Sequence, residues 1–102
     1  MDLFTNPPLP LPTSQTQEVL HELITRKTVS RAQFFKFCGI LNVTARIADL
    51  RKLGLEIRCE EIPVPNKFKR VVKYGNWSLA NIETATELYL RMKKDEKHQP
   101  AA

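Results

Sequence analysis

Glycine is scarce in this sequence, with Gly39, Gly54 and Gly75 the only three in 102 residues. That leaves little material for the glycine-rich loops that cradle phosphates, and no Walker-type pattern is present. Cysteine is scarcer still: Cys38 and Cys59 are too few and too far apart for a zinc site. In a cytoplasmic chain two such residues are expected as free, mostly buried thiols rather than as a disulfide. No apolar run approaches the roughly 20 residues that cross a bilayer. The N-terminus shows no basic region followed by an apolar stretch, so no secretory signal is expected. His21 and His98 stand in unrelated contexts, and no paired-carboxylate, nucleophile or triad pattern accompanies them. The expectation is a cytoplasmic protein that is not an enzyme and takes no metal, cofactor, small-molecule substrate or membrane partner.

A length of 102 residues fits one domain, and an apolar share of 42% suits a globular one. The formal net charge of +5 is unevenly spread. Residues 26–52 carry Arg26, Lys27, Arg31, Lys36, Arg46, Arg51 and Lys52 against Asp49 alone, a net +6. Residues 63–80 carry Lys67, Lys69, Arg70 and Lys73 with no acid, a net +4. A mildly acidic stretch, with Glu56, Glu60 and Glu61 against Arg58, lies between them. If folding brings the two basic blocks to one face, that face binds anions.

Residues 1–13 contain Pro7, Pro8, Pro10 and Pro12, which exclude a helix and favour an extended, polyproline-type arm. The arm is either flexible or laid over a partner subunit through Leu3, Phe4, Leu9 and Leu11. Ser14 and Gln17 form a capping-box pattern, and Val19, Leu20, Leu23 and Ile24 at one-turn spacing predict a helix over about 15–27. Ser30 and Gln33 form a second box, with Val29 and Phe34 placed for a hydrophobic staple. The short helix RAQFFKFC ends at Gly39, and its three phenylalanines mark it as a core element. Ile40 and Leu41 are expected to plug the core beyond it.

Asn42 caps a third helix that runs to Gly54, with Val43, Ile47 and Leu50 on one face. Ala45, Ala48, Asp49 and Lys52 project roughly opposite, so small side chains there would let the helix approach a groove floor. Leu55, Ile57 and Cys59 alternate with charged residues as a half-buried strand does. Pro63 to Asn66 break that strand, and Phe68 to Tyr74 reads as the returning one. Ser78 or Asn81 caps a last helix over about 78–94, with an apolar stripe of Leu79, Ile82, Ala85, Leu88, Tyr89 and Met92. Residues 95–102 read as a disordered tail. The folded domain therefore spans 14–94, mainly α with one small antiparallel β-hairpin.

Three helices closed by a basic hairpin, with an extra C-terminal helix, form a winged helix-turn-helix order. The run TVSRAQFFKFCGILNVTARIADLRKLGLEI resembles the helix-turn-helix core of small DNA-binding domains of phages and prophages. Thr44 to Gly54 also resembles the recognition-helix end of biotin-repressor-type winged helices, where Ile-x-x-Leu-Arg-x-x-Gly leads into the wing. The likeness covers roughly residues 15–75, and the apolar Ile40 and Leu41 depart from the simplest short turn.

The resemblance implies that the third helix reads a major groove and the hairpin grips the backbone or a minor groove. Asn42, Thr44 and Ala45 then meet the bases first, followed by Ala48, Asp49 and Lys52. Arg46 contacts a phosphate in preference to pairing with Asp49, and Ser30 and Arg31 suit a phosphate at a helix start. Lys67, Lys69 and Arg70 hold the backbone, and about six neutralised phosphates give a log–log salt slope of roughly −5.

These expectations describe a sequence-specific double-stranded DNA-binding regulator, most simply a phage or mobile-element repressor in bacterial cytoplasm or nucleoid. It is expected as a homodimer on a palindromic operator, with Leu79, Ile82, Leu88, Tyr89 and Met92 as the candidate dimer surface, the alternative being that this stripe packs on the first helix of the same subunit. The alternatives are a DNA-architectural or excisionase-like directionality protein, and a winged-helix module for protein contact.

Overall fold

The protein is described here by a computed structural model of residues 9–98, with the side chains of residues 97 and 98 excepted. Leu3, Phe4, Pro7 and Pro8 of the arm, and the last four residues of the tail, lie outside the described residues.

Helix α1 (Gln15–Arg26) starts where Ser14 turns extended and its side chain accepts a hydrogen bond from the Gln17 amide. That satisfies one of the amides a helix start leaves without a partner. Val19, Leu20 and Leu23 point from α1 into the core and are fully buried. Strand β1 (Thr28–Ser30) follows at once, and Ser30 then caps α2 (Arg31–Cys38). The capping box is complete: Ser30 Oγ accepts from the Gln33 amide at 3.2 Å, and Gln33 Oε1 accepts from the Ser30 amide at 2.9 Å. Gly39 closes α2 at φ 68°, a left-handed conformation that glycine adopts without the Cβ clash.

Asn42 caps α3 (Val43–Lys52), which buries Val43, Ile47 and Leu50, one face as the spacing predicts. Strands β2 (Ile57–Pro65) and β3 (Val71–Leu79) pair antiparallel, Ile57 opposite Leu79 and Pro65 opposite Val71. Helix α4 (Ile82–His98) ends the described chain, with Asn81 Oδ1 accepting from the Thr84 amide. The core joins α1, α2 and α3 to Trp77 of β3, whose ring centroid lies 6.0 Å from that of Phe34. Full burial of each such apolar side chain contributes about 1.5–3 kcal/mol.

The fold is mixed α/β: four helices and a three-stranded antiparallel sheet in the order β1-β3-β2. The sequence reading of a mainly α chain with a two-stranded hairpin missed β1. Three residues are too few for a periodicity, yet Val29 opposite Trp77 makes the strand part of the core. β2 also continues through Pro63 and Pro65 instead of breaking there. As an edge strand it pairs on one side only, where a proline without an N–H is tolerated.

The last helix begins at Ile82 rather than 78, because Ser78 and Leu79 remain paired in β3. It also runs past 94. Glu96 accepts from Thr13 Oγ1 and from Gln17 Nε2, both at 2.6 Å, which ties the end of α4 to the start of α1. Those bonds, with the hydrogen bond and charge of Lys93 at 3.3 Å, hold Glu96 below its ordinary carboxyl pKa against the opposing effect of desolvation.

Ala85 and Tyr89 of α4 are fully buried within this chain, and the Tyr89 hydroxyl donates to the Pro10 carbonyl. Burial raises the Tyr89 pKa, with the Glu96 charge adding to it. Leu9 packs on the core, so the arm from Leu9 onward lies against the domain.

Candidate nucleic-acid interface

Helix α2 is too short to bury three phenylalanines. Successive residues turn by about 100°, so Phe34 and Phe35 cannot share a face. Phe34 is buried, whereas Phe35 and Phe37 are 56% and 47% exposed. Phe37 instead carries the Arg26 guanidinium 4.0 Å above its ring centroid. Ile40 enters the core as expected, but Leu41 is 76% exposed. Phe35, Leu41, Ala32, Ile40, Arg31 and Tyr74 line an open, largely apolar cleft of about 270 Å³ between α2, the turn and β3. The sequence pattern assigned Phe35, Phe37 and Leu41 to the core, and only the angular argument on adjacent phenylalanines signals otherwise.

The start of α2 and the start of α3 are brought together by one bond. An Arg31 guanidinium nitrogen donates to Thr44 Oγ1 at 2.8 Å, and the same guanidinium lies 5.6 Å from the Trp77 ring centroid. Arg31 and Thr44 therefore form one exposed polar pair beside the α2–α3 turn, while Ser30, next to Arg31 in the chain, is half-buried and engaged with Gln33. Asn42 Oδ1 accepts from the Ala45 amide at 3.4 Å, which leaves the Asn42 Nδ2 free of the cap. Thr44, Ala48 and Lys52 are exposed along α3, while Ala45, Arg46 and Asp49 are half-buried.

Arg46 differs from the sequence expectation of a phosphate contact. It pairs with Asp49 at 3.2 Å along the helix, and its Nε is buried without a hydrogen-bond partner. Arg51, one turn on, donates to the Ile57 carbonyl at 2.7 Å and so anchors the start of the hairpin to the end of α3.

Lys67, Lys69 and Arg70 occupy the far end of that hairpin. From the Cys59–Trp77 pair, six further pairs lead to Pro65 and Val71, a reach of about 20 Å at strand spacing. Every residue of β2 beyond Ile57 is exposed, so this segment leaves the body of the domain. Cys59 is exposed with it, contrary to the expected buried thiol. Cys38 is half-buried, and its thiol pKa is raised by burial and by Glu22 and Glu18.

Of the proposed dimer residues, Tyr89 is inside this chain and Leu79, Leu88 and Met92 pack partly against its core. Ile82, at 39% exposed, is the most accessible of the five, and Leu90 on the same helix is 45% exposed.

Among the described residues no group of three or more His, Cys, Asp or Glu side chains could hold a metal ion. No described helix is long and apolar enough to cross a membrane. No family model matches the chain, and no curated protein or solved structure does.

Proposed function

We propose that this protein is a winged helix-turn-helix domain that binds double-stranded DNA in a sequence-dependent way and acts as a small transcriptional regulator. The observation that carries the reading is the arrangement of its charge on its elements. Two helices joined by a tight turn hold five of the seven cations of the larger basic block, Arg31, Lys36, Arg46, Arg51 and Lys52. The β2–β3 hairpin of the β1-β3-β2 sheet carries Lys67, Lys69 and Arg70 of the second at its tip.

In such a domain α3 enters the major groove. Asn42 Nδ2, the Thr44 methyl and the Ala45 and Ala48 methyls face base edges, and Lys52 reaches a phosphate. Arg31 takes a backbone phosphate while Thr44 steadies it. The cations of the hairpin tip hold the duplex further along. Arg46 stays with Asp49 in this reading, which leaves fewer phosphate contacts than the full set of cations provides.

The experiment is fluorescence anisotropy on mixed-sequence and selected duplexes across a salt series. Lys69→Ala is expected to weaken binding to all duplexes alike, and Asn42→Ala or Thr44→Ala to relax preference at particular base pairs. If none of the three changes DNA binding, the reading fails.

A further inference from the structure

The turn between β2 and β3 displays one aromatic side chain among cations. Phe68 is 72% exposed, and Lys67, Lys69 and Arg70 flank it in sequence. The Lys67 ammonium sits 5.0 Å from the Phe68 ring centroid.

The turn that holds this ring is built rather than slack. Asn66 Oδ1 accepts from the amides of Phe68 at 2.9 Å and Arg70 at 3.0 Å. The Asn66 amide donates to the Arg70 carbonyl at 2.8 Å, and the Lys69 amide to the Asn66 carbonyl at 3.0 Å. Lys69 takes φ 65°, a left-handed conformation that a lysine adopts at a cost. Four hydrogen bonds thus fix a strained turn that leaves a large apolar ring in water.

We propose that Phe68 is a wedge that enters a minor groove, partly unstacks a base step there and kinks the duplex. The proposal rests on the DNA-binding reading above and adds the groove, the residue and the deformation. Between Ile62 and Ile82 there is no acidic residue, and four cations lie in that stretch. Lys73, further along β3, lies 4.0 Å from Glu61 of β2, so the cations left for a polyanion are the three at the tip, Lys67, Lys69 and Arg70.

Groove width decides where it goes. The minor groove is about 6 Å wide and admits single apolar side chains between base steps, which is what the exposed ring of the turn offers. An inserted phenylalanine separates neighbouring bases and bends the helix away from itself. Lys67, moving with the ring, would neutralise a phosphate beside the opened step. Pyrimidine–purine steps, which unstack most readily, are the preferred site.

The test uses the full chain and two duplexes of equal length. One carries 2-aminopurine beside a TpA step, and the other carries a donor–acceptor dye pair at its ends. The wild-type chain should raise 2-aminopurine fluorescence and shorten the end-to-end distance.

Phe68→Ala should abolish both signals and bind about tenfold more weakly, the loss of one aromatic–base stack. Its salt slope should be unchanged, because the cations remain. Phe68→Leu, a smaller wedge, should retain part of the bend. Since Phe68 lies outside the core, the circular dichroism of each variant should match the wild type.

Equal unstacking and bending by Phe68→Ala overturns the wedge while leaving DNA binding intact. Wild-type binding to the duplex with no unstacking does the same. Failure of the wild-type chain to bind any duplex at low salt overturns both. Phe68-dependent sedimentation with anionic phosphatidylserine vesicles, without a duplex response, would also overturn the wedge and assign the tip to a membrane surface.

Discussion

Arg31 and Thr44 are joined by a hydrogen bond of 2.8 Å that ties the first turn of α2 to the first turn of α3. A guanidinium has five donors, so one bond to a threonine fixes its direction and leaves others for an anion. Arg31→Ala should therefore weaken binding to every duplex and lower the salt slope by about one. Thr44→Val keeps the side-chain volume but frees Arg31. It should weaken binding less than Arg31→Ala, at a stability cost of about 0.5–1.5 kcal/mol. Salt-dependent anisotropy and urea unfolding measure the two effects separately.

Asp49 holds Arg46 at 3.2 Å on a partly exposed helix face. Such pairs contribute little to stability, about 0.3–0.5 kcal/mol. Asp49→Ala removes a negative charge and releases a guanidinium towards the duplex. The variant should bind mixed-sequence DNA more tightly and show a steeper salt slope, with nearly unchanged urea midpoint.

Phe34 and Phe35 are neighbours in sequence with opposite environments. Phe34→Ala opens the core and should cost about 3–5 kcal/mol in urea unfolding. Phe35→Ala should change stability by no more than about 0.5 kcal/mol, since it removes an exposed ring.

Glu96 joins α4 to α1 through Thr13 and Gln17, and its pKa is depressed in the folded protein. A carboxyl more acidic when folded contributes stability that is fully present above its ordinary pKa of 4.5. That contribution is lost as the pH falls through the lower, folded value. Thermal melts between pH 6 and pH 3 should show the wild type losing more than Glu96→Gln over that acid range. Amide exchange at the end of α4 should accelerate with it.

Much of the local structure was legible because single residues declare it. Ser30 with Gln33, Gly39 and Asn42 mark the limits of α2 and α3, and each makes the bond or adopts the backbone its type favours. The strand at Thr28–Ser30 was not legible, since its pairing with β3 is set by tertiary contact rather than by pattern. The path of β2 through Pro63 and Pro65 follows from its edge position, which only the assembled sheet defines.

At the candidate site, the residue types were legible and their pairings were not. From the sequence Arg46 could meet a phosphate or pair with Asp49, the phosphate being preferred, and only geometry joins it to Asp49. Tyr89 was legible as an apolar-stripe residue, and for the same reason the sequence leaves open whether a partner or its own chain covers that stripe. The helix periodicity places it on an apolar face without saying that α1 of the same chain meets that face, where the His21 ring centroid lies 5.7 Å from that of Tyr89.

The most direct test of DNA binding is selection from a randomised duplex library at two salt concentrations, followed by sequencing. The account predicts an enriched motif whose recovery falls steeply with salt. A palindromic motif would give the spacing of two half-sites, and tandem repeats would favour an architectural role. No retention of any duplex at low salt would contradict the account.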